Sequence, residues 1–286
     1  MAASLTGALA PDMDAIARLW DPMAAIAVHR TATHSFLGGA IVALLVAGLV
    51  WTFRRESFFQ LFGVAYLGVV SHIGLDLLTT FGTAILWPLS NQRFALAQNY
   101  VVDPFLSSLA LGFLIASFRL KERRTSLAKI GLAGIVLYVF ITAAHQRVAS
   151  ARWQGYMEAQ GITPMRSAVI PLFPGPFRWQ GISETKEAFY LQDFWLYGSD
   201  ARPPHKLSKT KVDLGYVERL REVQLFLNFA RFPLRQVRID GPFRIVEYRE
   251  LAFADHPLGI LGGPLSLRIW IDESNSVRRV EFGHLF

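Results

Sequence analysis

The chain has 286 residues, a formal net charge of +7 at pH 7, 52% hydrophobic residues and no cysteine. The absence of cysteine excludes disulfides and thiolate metal ligands, so a metal site in this chain must use imidazole and carboxylate groups. The positive charge is modest and falls in loops between apolar runs. Membrane orientation explains this distribution better than nucleic acid does, and we therefore exclude nucleic-acid binding.

The two halves of the chain differ in composition. Residues 1–150 contain eleven Lys and Arg and seven Asp and Glu, whereas residues 151–286 contain eighteen and fifteen. The first density is typical of a membrane protein and the second of an ordinary soluble domain. We predict an α-helical multi-pass membrane domain over residues 1–150, followed by a β-rich, α+β soluble domain over residues 151–286.

Four apolar runs in the first half predict spanning helices. At a rise of 1.5 Å per residue, about twenty residues cross a hydrocarbon core roughly 30 Å thick. The third run is short for a full crossing, which leaves a partly buried or re-entrant segment open. The start of the chain lacks the features of a cleavable signal peptide. The runs are Ser35–Phe53, Phe58–Phe81, Pro104–Phe118 and Leu127–Ala144.

The basic residues predict the orientation of these helices. Arg54 and Arg55 lie in the first connection, and five Lys and Arg lie between Arg119 and Lys129 in the third. Loops of this kind remain in the cytoplasm. The opposite helix ends, with the histidines and most acids, are then at the outer face, and the soluble domain is extracytoplasmic.

His72 and Asp76 are the first candidate metal ligands. An Asp in hydrocarbon costs on the order of 2.5–3.5 kcal/mol, so such groups need a compensating partner, for which a divalent metal is the candidate. Residues four apart share one face of a helix, and both side chains can therefore reach one ion. The same spacing also permits a hydrogen-bonded pair that only neutralises itself.

The stretch from His29 to His34 carries two more candidates. Five residues separate the two histidines, so one of them must precede the first spanning helix. We predict Thr31 or Thr33 as the N-cap of that helix and His34 in its first turn. Either histidine can also be read as an ordinary interfacial residue.

Three acids complete the set of candidates. Asp12 and Asp14 alternate, and an extended backbone would present both on one side. Asp14 could instead cap a short helix over Ala15–Trp20. Asp103 precedes Pro104 and reads equally well as a helix N-cap with proline at the first helical position.

The order of these motifs resembles a known family. PDMD from Pro11, HRTATHS from His29, SHIGLDLLTTFGTAILWPLS from Ser71 and VVDP from Val101 are similar to bacterial inner-membrane proteins described as metal-dependent hydrolases, some of them LexA-binding. The resemblance covers roughly residues 5–150. It implies a multi-pass inner-membrane protein, a hydrolytic activity and a metal site built from Asp12, Asp14, His29, His34, His72 and Asp76.

The chain departs from the family pattern at its start. Family members usually begin with an additional helix that carries an early histidine in a THxxxG-like motif, and this chain starts just before PDMD. We therefore expect either an upstream start or a site with one ligand fewer.

The residue types of the cluster predict its chemistry. Imidazole and carboxylate ligands suit zinc first, and also manganese, iron or nickel, and their number leaves room for two ions. Asp12 or Asp76 could remain free as a general base. Arg30 could hold a phosphate, or anchor to lipid headgroups instead. Membrane lipids are the expected partners, and a phosphoester or lipid-linked substrate would reach this location.

The second half reads mainly as strands. FRIVEYREL alternates apolar and polar residues, and SLRIWI and VRRVEF flank a DESNS turn. His205, His256 and His284 are isolated and are expected to be surface or core residues. His145, at the outer end of the fourth helix, is a weak candidate ligand. The domain could cover the site as a lid or bind a partner.

These patterns favour a metal-dependent hydrolase at the outer face of the membrane. The alternative is a non-enzymatic scaffold or regulator with a structural metal and a partner-binding β domain. A transporter that uses the His/Asp pair as a relay is disfavoured, because four helices without an internal repeat are atypical of transporters.

Overall fold

The helices of the chain lie mainly in its first 160 residues. The computed structural model describes residues 2–21, 23, 25, 28–198, 203–210, 212, 214–253 and 265–283. A 3-10 helix over Ala10–Leu19 follows the first α-helix, and a short one precedes the fifth. The α-helices are α1 (Ala2–Leu9), α2 (Phe36–Arg54), α3 (Phe58–Leu78), α4 (Pro104–Arg119), α5 (Arg124–Ala159), α6 (Gly215–Glu218) and α7 (Arg221–Phe229).

Two antiparallel four-stranded sheets follow the helices. Strands β1 to β4 form the first sheet in sequence order, and β5 to β8 form the second in the same way. The first half of the chain is helical and the second half contains the two sheets, which confirms the predicted fold class of a helical membrane region followed by an α+β soluble region. The strands are β1 (Arg166–Pro171), β2 (Arg178–Glu184), β3 (Ala188–Trp195), β4 (His205–Ser208), β5 (Pro233–Asp240), β6 (Phe243–Glu250), β7 (Ser266–Ile271) and β8 (Val277–Gly283).

Three helices of the described chain are long and apolar enough to cross a membrane, where the sequence predicted four. They are α2, α3 and α5, the last counted with the short 3-10 helix before it. Helix α4 has 16 residues, or about 24 Å, which is short of a hydrocarbon core of roughly 30 Å.

Helix α5 is longer than its apolar run predicts. The run Leu127–Ala144 was expected to end the helix, but α5 extends to Ala159. Its polar extension buries Trp153 and Met157 in a core shared with Trp179 of β2. Tertiary packing therefore sustains the helix beyond the segment that a membrane would contain.

Helix α1 was not predicted from the sequence, because eight residues are too few to form a stable helix alone. It packs on α3 through small residues. A Cβ atom at Gly68 would lie 2.5 Å from the Ser4 carbonyl oxygen, and one at Gly7 would lie 2.4 Å from that of Ala65. The two backbones are thus in direct contact.

The contacts divide the described chain into two compact units. One contains the described residues of 1–96, 210–253 and 265–283, and the other contains those of 97–209. The first unit therefore combines α1 to α3 with the sheet β5–β8, although these segments are far apart in sequence. The second combines α4 and α5 with the sheet β1–β4.

Asp103 belongs to the second unit and caps α4. Its Oδ1 accepts hydrogen bonds from the amides of Phe105 and Leu106 at 3.0 Å, and its carboxylate also accepts from Tyr138 and Asn99. With proline at the first helical position, this is the capping arrangement that the sequence allowed.

In the first unit, the sheet β5–β8 packs against the loop that follows α3. Phe81 contacts the rings of Phe229 and Phe253, at centroid distances of 5.4 and 4.5 Å. Arg231 Nη1 donates to the Thr80 carbonyl at 3.1 Å. The fully buried Glu250 accepts from the amides at either side of this contact, those of Phe232 and Ala252. The loop after α3 therefore shares a hydrophobic core with the sheet through Phe81.

The contact between α1 and α3 predicts opposite effects for two glycines of the same helix. Alanine raises helix stability by roughly 0.5–1 kcal/mol over glycine. Gly63 has open space around it, so Gly63→Ala should leave the melting temperature unchanged or raise it. Gly68→Ala should lower it by several degrees, because the new Cβ meets the α1 backbone. Thermal unfolding in detergent checks this, and equal shifts would contradict the packing.

Candidate metal site

The candidate site lies where the segment before α2, the end of α3 and the N-terminal 3-10 helix meet. His34 is fully buried, two residues before Phe36. The prediction of Thr31 or Thr33 as the N-cap is wrong, and His34 precedes the first turn. Ser35 caps α2, and its Oγ accepts from the Gly38 amide at 2.9 Å. The Thr33 hydroxyl is engaged by Asp14 instead.

Four ligand atoms face one point in this site. The Nε2 atoms of His34 and His72 are 3.3 Å apart. Asp76 Oδ2 lies 3.4 Å from the first nitrogen and 3.6 Å from the second. Asp12 Oδ1 lies 3.3 and 3.5 Å from the same two atoms. The structure thus brings together one ligand atom from each of these four predicted residues.

These distances fit a small divalent ion. A tetrahedron with metal–ligand bonds of about 2.0–2.2 Å has edges of about 3.3–3.6 Å, which is the range that the five measured distances cover. Asp76 Oδ2 is buried and has no hydrogen-bond partner among the described residues. A cation would satisfy this oxygen, so the donor set fits zinc with imidazole and carboxylate ligands.

Asp14 lies on the other side of His34. The Thr33 hydroxyl donates to Asp14 Oδ2 at 2.7 Å and accepts from His34 Nδ1 at 2.9 Å. Asp14 Oδ1 accepts from His29 Nδ1 at 2.7 Å. A protonated Nδ1 leaves the Nε2 lone pair of His34 free toward the cluster. Asp14 therefore occupies the place of a carboxylate that orients metal-binding histidines from behind.

The 3-10 helix explains why the two acids reach different atoms of His34. The prediction of an extended backbone here is wrong, since Ala10–Leu19 is helical. With three residues per turn, Asp12 and Asp14 fall on different rows of this helix. Asp14 therefore approaches Nδ1 and Asp12 approaches Nε2. Asp12 and Asp14 therefore lie next to the two different nitrogens of the His34 ring.

The electrostatics keep both of these acids ionised. Hydrogen bonds from His34 and His72 hold the pKa of Asp12 well below its usual range. Burial raises the pKa of Asp14, but hydrogen bonds from His29 and His34 outweigh it and the pKa is lowered. Burial likewise lowers the pKa of His34, and its hydrogen bonds to Asp12 and Asp14 overcome this and raise it. An ion at Nε2 would therefore displace the proton that Nε2 shares with Asp12.

Arg30 is buried beside Asp76 rather than open to a ligand. Its Nη2 lies 2.8 Å from Asp76 Oδ1, and its Nη1 donates to Thr79 Oγ1 at 2.7 Å. The backbone of Arg30 adopts a left-handed conformation with φ of 59°. Such a conformation costs a non-glycine residue about 1–3 kcal/mol and is found mainly at functional sites. The guanidinium orients one oxygen of Asp76 and leaves Oδ2 facing the histidines.

Sequence reasoning missed three residues that support the site. Thr33 and Thr79 act through hydroxyl groups that are indistinguishable in sequence from helix caps. Arg93 donates from both Nη atoms to the His29 carbonyl at 3.2 Å, and its guanidinium lies over Phe229 at 5.3 Å. No spacing rule identifies Arg93, because a loop carries it to the site.

The remaining histidines have other surroundings. His145 Nε2 lies 3.2 Å from Tyr197 Oη within the second unit. His205 is an exposed residue of β4. His256 and His284 lie outside the described residues. His29 is adjacent to the cluster, with its ring centroid 5.2 Å from that of His34, and its nitrogen, Asp12 and His34 form a second group of possible metal ligands.

Comparison with known proteins gives two matches. The sequence pattern of the YdjM inner membrane protein family matches residues 1–149. An uncharacterized protein of Bacillus subtilis, YfhP, is 30% identical over 107 residues, which are 37% of this chain and 33% of the relative. The chain thus spans about a third of the length of the curated relative it matches. No solved structure matches the chain significantly.

The hydrogen bond from Thr33 predicts an effect on metal affinity without loss of a ligand. Thr33→Val removes the link between Asp14 and His34 and should weaken zinc binding by about tenfold or more. Thr52→Val is the matched control, because its hydroxyl is exposed and bonds only to its own helix at Leu49. Competition with a chromogenic chelator measures both. Equal affinities in the two variants would exclude this role for Thr33.

Proposed function

Because the chain belongs to the YdjM inner membrane protein family, we propose that it is a metal-dependent hydrolase of the bacterial inner membrane that acts at the outer face. The observation that carries the proposal is that the Nε2 atoms of His34 and His72 lie 3.3 Å from each other and 3.3–3.6 Å from one oxygen each of Asp12 and Asp76. Ion pairs that only neutralise one another can form without two imidazole nitrogens that face each other. Two nitrogens that bind one cation must both point toward it.

His34, His72 and Asp76 are the three proposed protein ligands. Catalytic zinc sites commonly use three protein ligands and keep one position open. When bound, the ion would act as a Lewis acid and make water nucleophilic at neutral pH. Arg30 fixes the orientation of Asp76, and Asp14 with Thr33 fixes that of His34. Zinc is the first choice, and manganese, iron or nickel suit the same donors.

Asp12 is the proposed general base. Its side chain is 55% exposed, whereas that of Asp76 is 12% exposed and paired with Arg30. The hydrogen bonds that lower its pKa come from His34 and His72, and Asp12 would lose them once these imidazoles bound an ion. A carboxylate at the accessible edge of the cluster can then take a proton from water and pass it to a leaving group. The group of Asp12, His29 and His34 provides the ligands for a second ion in a two-metal version of the site.

The exposure of Asp12 distinguishes the enzyme from the alternative function. A scaffold or regulator with a structural metal would close all four positions with protein groups, as structural zinc sites do. In this cluster the fourth position is occupied by Asp12, whose side chain is 55% exposed, whereas those of His34, His72 and Asp76 are at most 16% exposed. We propose that Asp12 leaves this position to water when the site is loaded, which a catalytic site requires and a structural one does not. The geometry therefore supports a reactive site better than a structural one.

The proposed location follows from the helix ends. The site lies at the start of α2 and near the end of α3, and Arg54 and Arg55 lie at the opposite ends of these helices. Basic connections remain in the cytoplasm, which puts the cluster at the outer face. The sheet β5–β8 packs at the same end of α3 as the cluster, through Phe81. We therefore propose an extracytoplasmic C-terminal region, which requires that the short helix α4 also passes from one face of the membrane to the other.

Removal of proposed ligands should separate metal binding from catalysis. His72→Ala and Asp76→Ala should lose metal and hydrolysis of bis(4-nitrophenyl) phosphate, because each removes a ligand and leaves a buried partner uncompensated. Asp12→Asn should retain metal and lower kcat by about 10²- to 10⁴-fold. Elemental analysis and initial rates with and without chelator measure these effects.

His205→Ala is the control for these variants, because His205 is an exposed residue of the sheet β1–β4. It should retain both metal and activity. Full metal content in His72→Ala and Asp76→Ala would exclude the proposed site, whereas metal binding without chelator-sensitive hydrolysis would favour the scaffold.

The orientation can be tested with single cysteines, since the chain has none of its own. Lys186 lies in the exposed turn between β2 and β3, and Arg123 lies between α4 and α5. A membrane-impermeant thiol reagent added to intact spheroplasts should label Lys186→Cys and not Arg123→Cys. Labelling of Arg123→Cys alone would place the cluster at the cytoplasmic face.

A further inference from the structure

An exposed row of apolar side chains runs along the N-terminal segment toward the cluster. We call Leu5, Leu9, Met13, Ile16 and Leu19 the N-terminal row. They recur every four residues in α1 and every three residues in the 3-10 helix, so they share one side of the segment. Their exposures are 59%, 70%, 62%, 42% and 80%. No other part of the described chain covers these side chains.

The depth of this row follows from its packing on α3. Helix α1 meets α3 at Ala65 and Gly68, and Gly68 lies ten residues, or about 15 Å, from the start of a 21-residue helix. The part of the row that belongs to α1 is therefore near the middle of α3, which is a spanning helix. His72 lies one turn further along, about 9 Å from the end of α3. The row rises from the hydrocarbon core to the level of the cluster.

The accessible edge of the cluster adjoins this row. Asp12 is the exposed member of the four, and it directly precedes Met13. Leu75 lies three residues after His72, on the next turn of α3, and is 51% exposed. Apolar residues therefore flank the open edge on the 3-10 helix and on α3.

We propose that the site takes its substrate from the outer leaflet, as a phosphodiester lipid whose chain lies along the N-terminal row while its phosphate reaches the cluster. This inference rests on the proposed hydrolase function and adds the substrate class. The row lies in the hydrocarbon, and its occupant there is a lipid chain. The cluster lies near the outer helix ends, where lipid headgroups begin.

The reaction is a hydrolysis that needs no further reactant. The oxygen of water forms a bond to phosphorus, and the bond from phosphorus to one ester oxygen breaks. Asp12 takes the proton of the attacking water, and that proton goes to the departing oxygen. The products are a phosphate monoester and an alcohol or phenol.

Two probes with the same scissile bond test the substrate class. Hexadecyl 4-nitrophenyl phosphate and ethyl 4-nitrophenyl phosphate differ only in the apolar chain. With metal-loaded protein in lipid nanodiscs, we expect the hexadecyl probe to be preferred. Met13→Gln should lower the hexadecyl-to-ethyl rate ratio by about tenfold, because a polar group weakens contact with the chain. Leu45→Gln makes the same kind of change on an exposed leucine of α2 and should leave the ratio unchanged.

A second measurement does not depend on activity. A nitroxide on Met13→Cys should collide more with oxygen than with a water-soluble nickel chelate, because oxygen concentrates in hydrocarbon. The same label on Lys186→Cys, in an exposed turn of the soluble part, should show the reverse.

The outcomes separate this inference from the function on which it rests. Equal rates on the two probes, or equal ratios for Met13→Gln and Leu45→Gln, would overturn the lipid substrate while the hydrolase stands. A water-exposed nitroxide at residue 13 would overturn the lipid-facing row, whatever the activity. No hydrolysis of either probe, with the nitroxide in hydrocarbon, would overturn the hydrolase and its lipid substrate but not the position of the row.

Discussion

The facing imidazole nitrogens of His34 and His72 constrain the structure around them. Two Nε2 atoms 3.3 Å apart need a proton or a cation between them. One proton satisfies the two nitrogens but leaves the buried Asp76 Oδ2 without a donor. An uncompensated carboxylate oxygen in a low-dielectric position costs several kcal/mol. A divalent cation would satisfy both nitrogens and the carboxylates together.

The surrounding residues hold this arrangement from behind. Arg30 pairs with Asp76 Oδ1, so only Oδ2 is presented to the histidines. Asp14 and Thr33 hold Nδ1 of His34, so only Nε2 is presented. Asp76 and His34 thus each have one atom engaged by the protein and one directed toward the cluster. This division requires buried charges of both signs outside the cluster, which Arg30 and Asp14 provide.

The sequence predicts the parts of this site that depend on regular structure. The apolar runs predicted the long helices, and the i,i+4 spacing predicted that His72 and Asp76 share one helix face. The basic residues in the loops predicted that the candidate ligands lie at the same end of the helices. The 3-10 helix was not predicted, because two acids separated by a single residue, Asp12 and Asp14, are compatible with a strand as well as with a helix. Thr33 and Arg93 were missed because loops bring them to the site. The packing of the second sheet against the loop after α3 depends on contacts between segments separated by over a hundred residues.

That packing gives the soluble sheet a part in the site. Thr79 accepts the bond that fixes Arg30, and the next residues, Thr80 and Phe81, contact Arg231, Phe229 and Phe253. Loops at a helix end have few partners of their own inside a membrane. The sheet supplies a rigid surface for this loop, and Arg93 extends that support to the His29 carbonyl. The sheet β5–β8 therefore supports the loop beside the cluster, a role that its sequence pattern alone does not reveal.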